Sequence, residues 1–121
     1  MKNAFGLLVL YSLILVACLK DKGSIPASTS KNLCDSLKVT YSLVINPIIN
    51  NKCVTCHKPG GTGNGDYTTY SGLKAKIGTN NNPLYNRVFV LGDMPQAGSP
   101  ALTADEKQKI SCWLDAGAPN N

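Results

Sequence analysis

Cys53-Val54-Thr55-Cys56-His57 is the stretch whose reading decides the fold. Two cysteines at i and i+3 stand about one helical turn apart. That spacing matches the two vinyl groups on neighbouring pyrroles of a porphyrin, each of which one thiol can capture as a thioether. A histidine directly after the second cysteine then falls beneath the iron and ligates it on the proximal side. Five residues therefore anchor a haem, orient it and supply an axial ligand, and C-x-x-C-H is the pattern of c-type attachment.

Two other chemistries use part of this pattern. A thiol–disulfide C-x-x-C opens a helix after a strand in an α/β chain, and no strand–helix alternation is visible here. Half of a zinc site is the other. A closed zinc site wants four ligands, and His57 is the only histidine. Cys34 and Cys112 could complete such a set, yet neither belongs to a second C-x-x-C or C-x-x-H pair.

Working towards the N-terminus, Met1-Lys2 precedes a mostly apolar run from Ala4 to Val16, closed by Leu15-Val16-Ala17-Cys18. A small residue before a cysteine in that position resembles a bacterial lipoprotein signal, with cleavage before Cys18 and a diacylglyceryl group on its thiol. The alternatives are an ordinary secretory signal and a retained membrane helix. The run falls short of the roughly 20 apolar residues that spanning requires. The reading gives a signal at 1–17, a lipidated N-terminus and polar, Ser-rich tether at 18–32, and a folded domain at 33–121. Export places the protein outside the cytoplasm, lipid-anchored on the periplasmic or cell-surface face of a bacterial membrane.

Of five cysteines, Cys18 is assigned to lipid and Cys53 and Cys56 to haem, which leaves Cys34 and Cys112. In an oxidising compartment the expectation is a disulfide between them, tying the start of the domain to its last helix. Two separate buried thiols are the alternative. The formal charge of +5 falls by one when Lys2 leaves. Such a balance permits steering towards an acidic redox protein. It gives no case for nucleic acid, because the lysines are dispersed and no aromatic–basic patch accompanies them.

The domain is expected to be all-α, about four short helices and long loops wrapped around one disc-shaped cofactor. Thr40 to Ile45 reads as a short extended lead-in. Asn46-Pro47 reads as cap and first helical residue of a helix reaching about His57. Pro59 to Asp66 must be loop, with glycines that let backbone pass close to a flat ligand. Thr68 or Thr69 caps a helix through Tyr70, Leu73 and Ile77, ended by Gly78. Asn82-Pro83 starts another holding Leu84, Tyr85, Val88 and Phe89. Leu91 to Ala101 is irregular. Thr103-Ala104-Asp105-Glu106 is a capping box, after which Ile110, Trp113 and Leu114 share a face and Gly117 terminates.

For the sixth iron position, bis-histidine ligation within one chain is impossible. Met94 is the only methionine left after signal removal, so a thioether ligand must be Met94, presented by the Gly92-Asp93-Met94-Pro95 loop; the alternative is that it packs against the haem edge. Thioether ligation raises the reduction potential and closes the iron to oxygen and peroxide, which describes a carrier and not an enzyme. Without it the iron would be five-coordinate, as in a haem enzyme or a gas or peroxide sensor. A third reading makes the haem a structural staple in an interaction module. Arg87, the single arginine, is a candidate for a bidentate contact to a haem propionate, or an ordinary surface arginine. Tyr70 and Trp113 could also reach a propionate, although packing is the expected duty of both.

These residues resemble the class I c-type cytochromes, and more closely the short planctomycete-type monohaem domains. The matching segments are Val44 to Ile49 running into Cys53–His57, then Met94-Pro95, then Ile110 to Ala118. The resemblance implies an all-α fold whose first and last helices cross near one haem edge with Trp113 at the crossing. It implies Cys53 and Cys56 as thioether sites, His57 as proximal and Met94 as distal ligand, and unidentified redox proteins as partners. One departure stands out. Larger relatives place a Gly-Pro turn after the motif, whose proline carbonyl accepts the histidine N–H. Here Pro59 lies too close to His57, and another carbonyl must serve.

Overall fold

The computed structural model describes residues 33–78 and 82–121. The expected signal segment, Cys18 and the tether lie outside them. Among the described residues the chain is mostly helical and contains no strand. None of these helices is long and apolar enough to cross a membrane.

The first helix starts earlier than its Asn-Pro signal indicates. Tyr41–Ile45 is a wide π-helical turn, not an extended lead-in, and it runs directly into α1 (Asn46–Lys52). Local and distant groups cap that turn. The Thr40 hydroxyl accepts from the Leu43 amide. Asn121 accepts from the Tyr41 amide through its side chain (2.8 Å) and from the Ser42 amide through its carbonyl (2.9 Å). Three amides that the helix itself leaves unpaired are thus satisfied. Asn46 sits inside the helix at φ −57°, ψ −44°, and so does not cap it. Pro47 carries no N–H, so the regular ladder cannot continue through it. The ladder widens just before that point, where the Asn46 amide reaches back to the Tyr41 carbonyl.

The remaining helices follow their caps. Thr69 caps α2 (Tyr70–Ile77) by accepting from the Gly72 amide at 3.1 Å. Gly78 closes that helix, as expected, at φ −75° and ψ 5°. Asn82 accepts from the Tyr85 amide at 3.0 Å and opens α3 (Pro83–Tyr85), which continues as a second π-helical turn, Asn86–Val90. Leu91 to Ala101 contains no helix. α4 (Ala104–Asp115) carries the full capping box: the Glu106 amide donates to the Thr103 hydroxyl and the Thr103 amide to the Glu106 carboxylate.

α4 ends in a Schellman turn. The Ala118 amide donates to the Trp113 carbonyl and the Gly117 amide to the Leu114 carbonyl, both at 2.9 Å, with Gly117 at φ 85°. The turn sends the tail back over the fold. Ala118 accepts from the Tyr70 hydroxyl at 2.8 Å, and Lys74 donates to Gly117 and Ala118. Trp113 donates from Nε1 to the Pro119 carbonyl at 2.9 Å and stacks on Tyr41 at 5.8 Å. Tyr70 and Trp113 therefore spend their polar ends on the tail, and their rings pack.

Ile45, Ile49, Leu73, Ile110 and Trp113 are the large side chains removed entirely from water. Contact between Tyr41 and Trp113 is where the first and last helices meet. Cys34 and Cys112 are joined by a disulfide across 78 residues of chain. A second clip lies nearer the middle, where Lys52 at the end of α1 reaches the Ala101 carbonyl (2.9 Å) and the Glu106 carboxylate (3.4 Å).

That clip sets an acid limit. The Thr103 amide, and after it the charge of Lys52, hold the Glu106 carboxyl below its ordinary range. A carboxyl with a lowered folded pKa contributes stability above the unfolded value, near 4.3 for Glu. It loses that contribution as the pH falls through the lower folded value. Glu106→Gln is expected to be less stable than wild type at pH 7 and equal to it near pH 2, measured by denaturant midpoints across that range. Thr103→Ala should cost about 1 kcal/mol at neutral pH.

Candidate functional site

Regular α-helix ends at Lys52 and not near His57, so the cysteine–histidine motif lies just beyond α1 in a series of tight turns. The Cys53 and Val54 amides both donate to the Ile49 carbonyl, and the Cys56 and His57 amides both donate to that of Cys53. The His57 bond, at 2.9 Å, still closes one α-type turn. Pro59-Gly60-Gly61 bars a helix beyond the motif, and the earlier end goes with the Gly63 amide folding back onto the Cys56 carbonyl. Both thiols are unbonded and partly buried.

Cys53, Cys56 and His57 line a cleft of about 400 Å³ together with Met94. Its apolar wall comes from every helix that frames it: Ile49 of α1, Leu84 and Val88 of α3 and its continuation, Leu102, and Ile110 of α4. A volume of this order lies within the range of small-molecule and cofactor sites. The three motif residues are neighbours in sequence, and the fold brings Met94 to them from a distant part of the chain.

His57 is held from several directions. Its Nδ1 lies 3.0 Å from the Asn64 carbonyl oxygen. An oxygen there only accepts, so Nδ1 is the donor, and in the neutral ring Nε2 keeps its lone pair. Asn64 is thus the acceptor that the sequence could not identify. The Tyr67 ring lies parallel to the imidazole, with centroids 4.4 Å apart and 6° between planes. The Tyr67 amide also donates to the His57 carbonyl at 2.8 Å. Gly63 approaches most closely. Its amide donates to the Cys56 carbonyl, and a Cβ built there would stand 2.7–2.9 Å from Nδ1, Cε1 and Cγ. Near-equal distances to three ring atoms place that Cβ over the ring face. The glycine-rich loop thus lets backbone pass close to the imidazole itself. At Gly61 the same test gives a collision with the Cys56 carbonyl.

Were haem attached at this motif, Gly63→Ala would be expected to lower the haem-loaded fraction severalfold, read from the Soret-to-protein absorbance ratio after purification. Gly78→Ala serves as control, because its Cβ meets nothing nearer than 3.5 Å, and should match wild type.

The Met94 loop also borders the cleft, and Arg87 organises it. The Arg87 carbonyl accepts from the Asp93 amide (3.1 Å) and the Met94 amide (3.3 Å). The Arg87 Nε donates to both oxygens of Asp93 at 2.7 and 2.9 Å. This pair holds the Asp93 carboxyl below the usual carboxylate range. Arg87 also lines the cleft, so both its backbone and its side chain position the loop that carries Met94.

The electrostatics separate the chemistries the motif left open. Burial pushes the Cys53 thiol up to about 11, so at neutral pH it stays protonated. A disulfide-exchange cysteine needs the opposite, a thiolate stabilised by its surroundings. Zinc fails on ligands: Cys34 and Cys112 are bonded to each other, and among the described residues no three His, Cys, Asp or Glu side chains gather as a metal site. A haem fits the donor set: two unbonded thiols, an imidazole, and a thioether lining the same cleft.

Comparison with protein-family models, with curated proteins and with solved structures finds no match to this chain. The reading of the site rests on its own residues. The sequence missed Asn64, Gly63 and Tyr67 as parts of it. Asn64 acts through its backbone carbonyl, which every residue type possesses, so no signal could have marked it.

Proposed function

We propose that the chain is a lipid-anchored, extracytoplasmic, monohaem c-type cytochrome that carries single electrons between redox proteins. The observation that carries this reading is the gathering of Cys53, Cys56, His57 and Met94 around one cleft, with Nδ1 of His57 3.0 Å from the Asn64 carbonyl oxygen. Covalently bound haem supplies a one-electron iron couple. Cys53 and Cys56 would hold it through thioethers, His57 through Nε2, and Met94 through sulfur. The partly buried Cys53 and the apolar wall would restrict water on one side of the group, while Lys52, Arg87 and Gln96 line the more polar part. A low-dielectric surround disfavours the more highly charged ferric state and so raises the potential further.

The role of each protein group follows from its placement. Asn64 fixes the imidazole tautomer, and its acceptance of the Nδ1 proton makes Nε2 a stronger donor. Arg87 and Asp93 hold the methionine loop at the cleft. Because the Arg87 Nε is engaged with Asp93, any propionate contact would use its terminal nitrogens. Met94 filling the sixth position would exclude exogenous ligands, which is why we assign a carrier and not an enzyme.

The test is the oxidised protein's far-red spectrum. Ligation by Met94 predicts a methionine-sulfur charge-transfer band that disappears in Met94→Ala, whose iron should then bind cyanide at least tenfold faster. A high-spin ferric spectrum in wild type would instead favour a five-coordinate enzyme or sensor.

A further inference from the structure

We infer that Tyr67 is a positioning residue for the proximal imidazole, setting the rotation of the His57 ring and through it the iron's reduction potential. This rests on the haem reading above and deepens it. Tyr67 is 93 % removed from water, being only 7 % exposed. It contacts His57 twice, through the parallel ring stack at 4.4 Å and through its amide at 2.8 Å from the His57 carbonyl. A near-parallel, offset aromatic pair is worth about 0.5–1.5 kcal/mol beyond the area it buries.

The geometry leaves the imidazole little freedom. Rotation about its Cβ–Cγ bond would stretch the Nδ1–Asn64 hydrogen bond, close on Gly63, and lift the ring off Tyr67. The Asn64 side chain is itself tied to α2 by Lys76, whose Nζ donates to Oδ1 at 3.1 Å. Tyr67 leads directly into Thr68 and Thr69, the residues before α2, so its backbone is anchored as well. Hydrogen bonding at Nδ1 lends the ring imidazolate character, which stabilises the ferric state. Loosening the ring weakens that bond and raises the potential.

The experiment compares wild-type holoprotein with Tyr67→Phe and Tyr67→Leu by potentiometric titration and by ferric low-spin electron paramagnetic resonance, whose g anisotropy reports axial-ligand orientation. Phe retains the stack and should match wild type in both. Leu removes it and should give a more positive potential and broadened or displaced g values. An unchanged or lowered potential in the Leu variant, or an equal shift in the Phe variant, overturns the inference. If the Leu variant takes up no haem, proton–proton cross-relaxation in the ferrous wild type decides: contacts between the Tyr67 and His57 rings are expected, and their absence overturns it. A wild type without covalent haem would defeat the underlying reading, whereas haem-loaded variants indifferent to residue 67 would defeat this inference alone.

Discussion

Protein recovered from cells unable to attach haem is expected to melt without a cooperative transition. The reason lies in how little core the side chains build alone. Five large side chains are fully buried, and two of these, Ile49 and Ile110, also line the cleft. Leu84, Val88, Leu102 and Met94 face the same space. Were a cavity of 400 Å³ sealed and dry, leaving it unfilled would cost on the order of 10 kcal/mol. Its opening to water reduces that figure, but the whole stability of a small domain is only about 5–15 kcal/mol. A porphyrin in the cleft would fill that space and cover the parts of Leu102 and Met94 still open to water. Near-ultraviolet circular dichroism on heating measures the difference: the holoprotein should show one sharp loss of signal and the haem-free protein a shallow drift. A haem-free protein with a sharp, native-like melt would contradict the account.

Loss of the Cys34–Cys112 bond is expected to have the next largest effect. The bridge closes a loop with 78 residues of sequence separation, for which chain-entropy arithmetic gives roughly 4 kcal/mol. It joins the short helical segment at 33–37 to the C-terminal half of α4, where Cys112 stands beside the buried Trp113. For a domain of this size each kcal/mol moves the melting midpoint by about 4–8 °C. The Cys34→Ser, Cys112→Ser holoprotein should therefore melt about 15 °C or more below wild type. The haem spectrum should be unchanged, because neither sulfur lines the cleft. A change in the far-red band would mean that the bridge shapes the site as well as the fold.

Most of the fold was legible because its signals are local. Thr69, Asn82 and the Thr103–Glu106 box cap helices where the side-chain chemistry indicates, and the run of Gly and Pro between Leu91 and Ala101 does exclude helix. The errors arise where distant chain decides. Thr40 to Ile45 is rich in β-branched residues and reads as extended. It winds into a helical turn because Asn121, from the far end of the sequence, caps its amides. Likewise the helix stops short of His57 because the loop at 61–63 folds back on Cys56, a contact no periodicity records.

The site shows the same division. Cys53, Cys56, His57 and Met94 were readable from residue type and spacing, and the fold brings them to one cleft. Arg87 was picked out for its charge, yet the structure also gives it the work of holding the Met94 loop through Asp93. That role depends on a turn whose backbone course is invisible in composition. Gly63 and Tyr67 matter for the same kind of reason, since each is defined by how closely it approaches His57.

The central claim is tested most directly by the mass and colour of the exported protein made in a cell competent for cytochrome maturation. Intact-protein mass spectrometry should show one haem added to the chain, and a pyridine haemochrome spectrum should report two saturated vinyl groups. Cys53→Ala with Cys56→Ala should remove both signatures. A colourless wild-type protein at the mass of its polypeptide and lipid alone, or an adduct that survives the double substitution, would contradict the account.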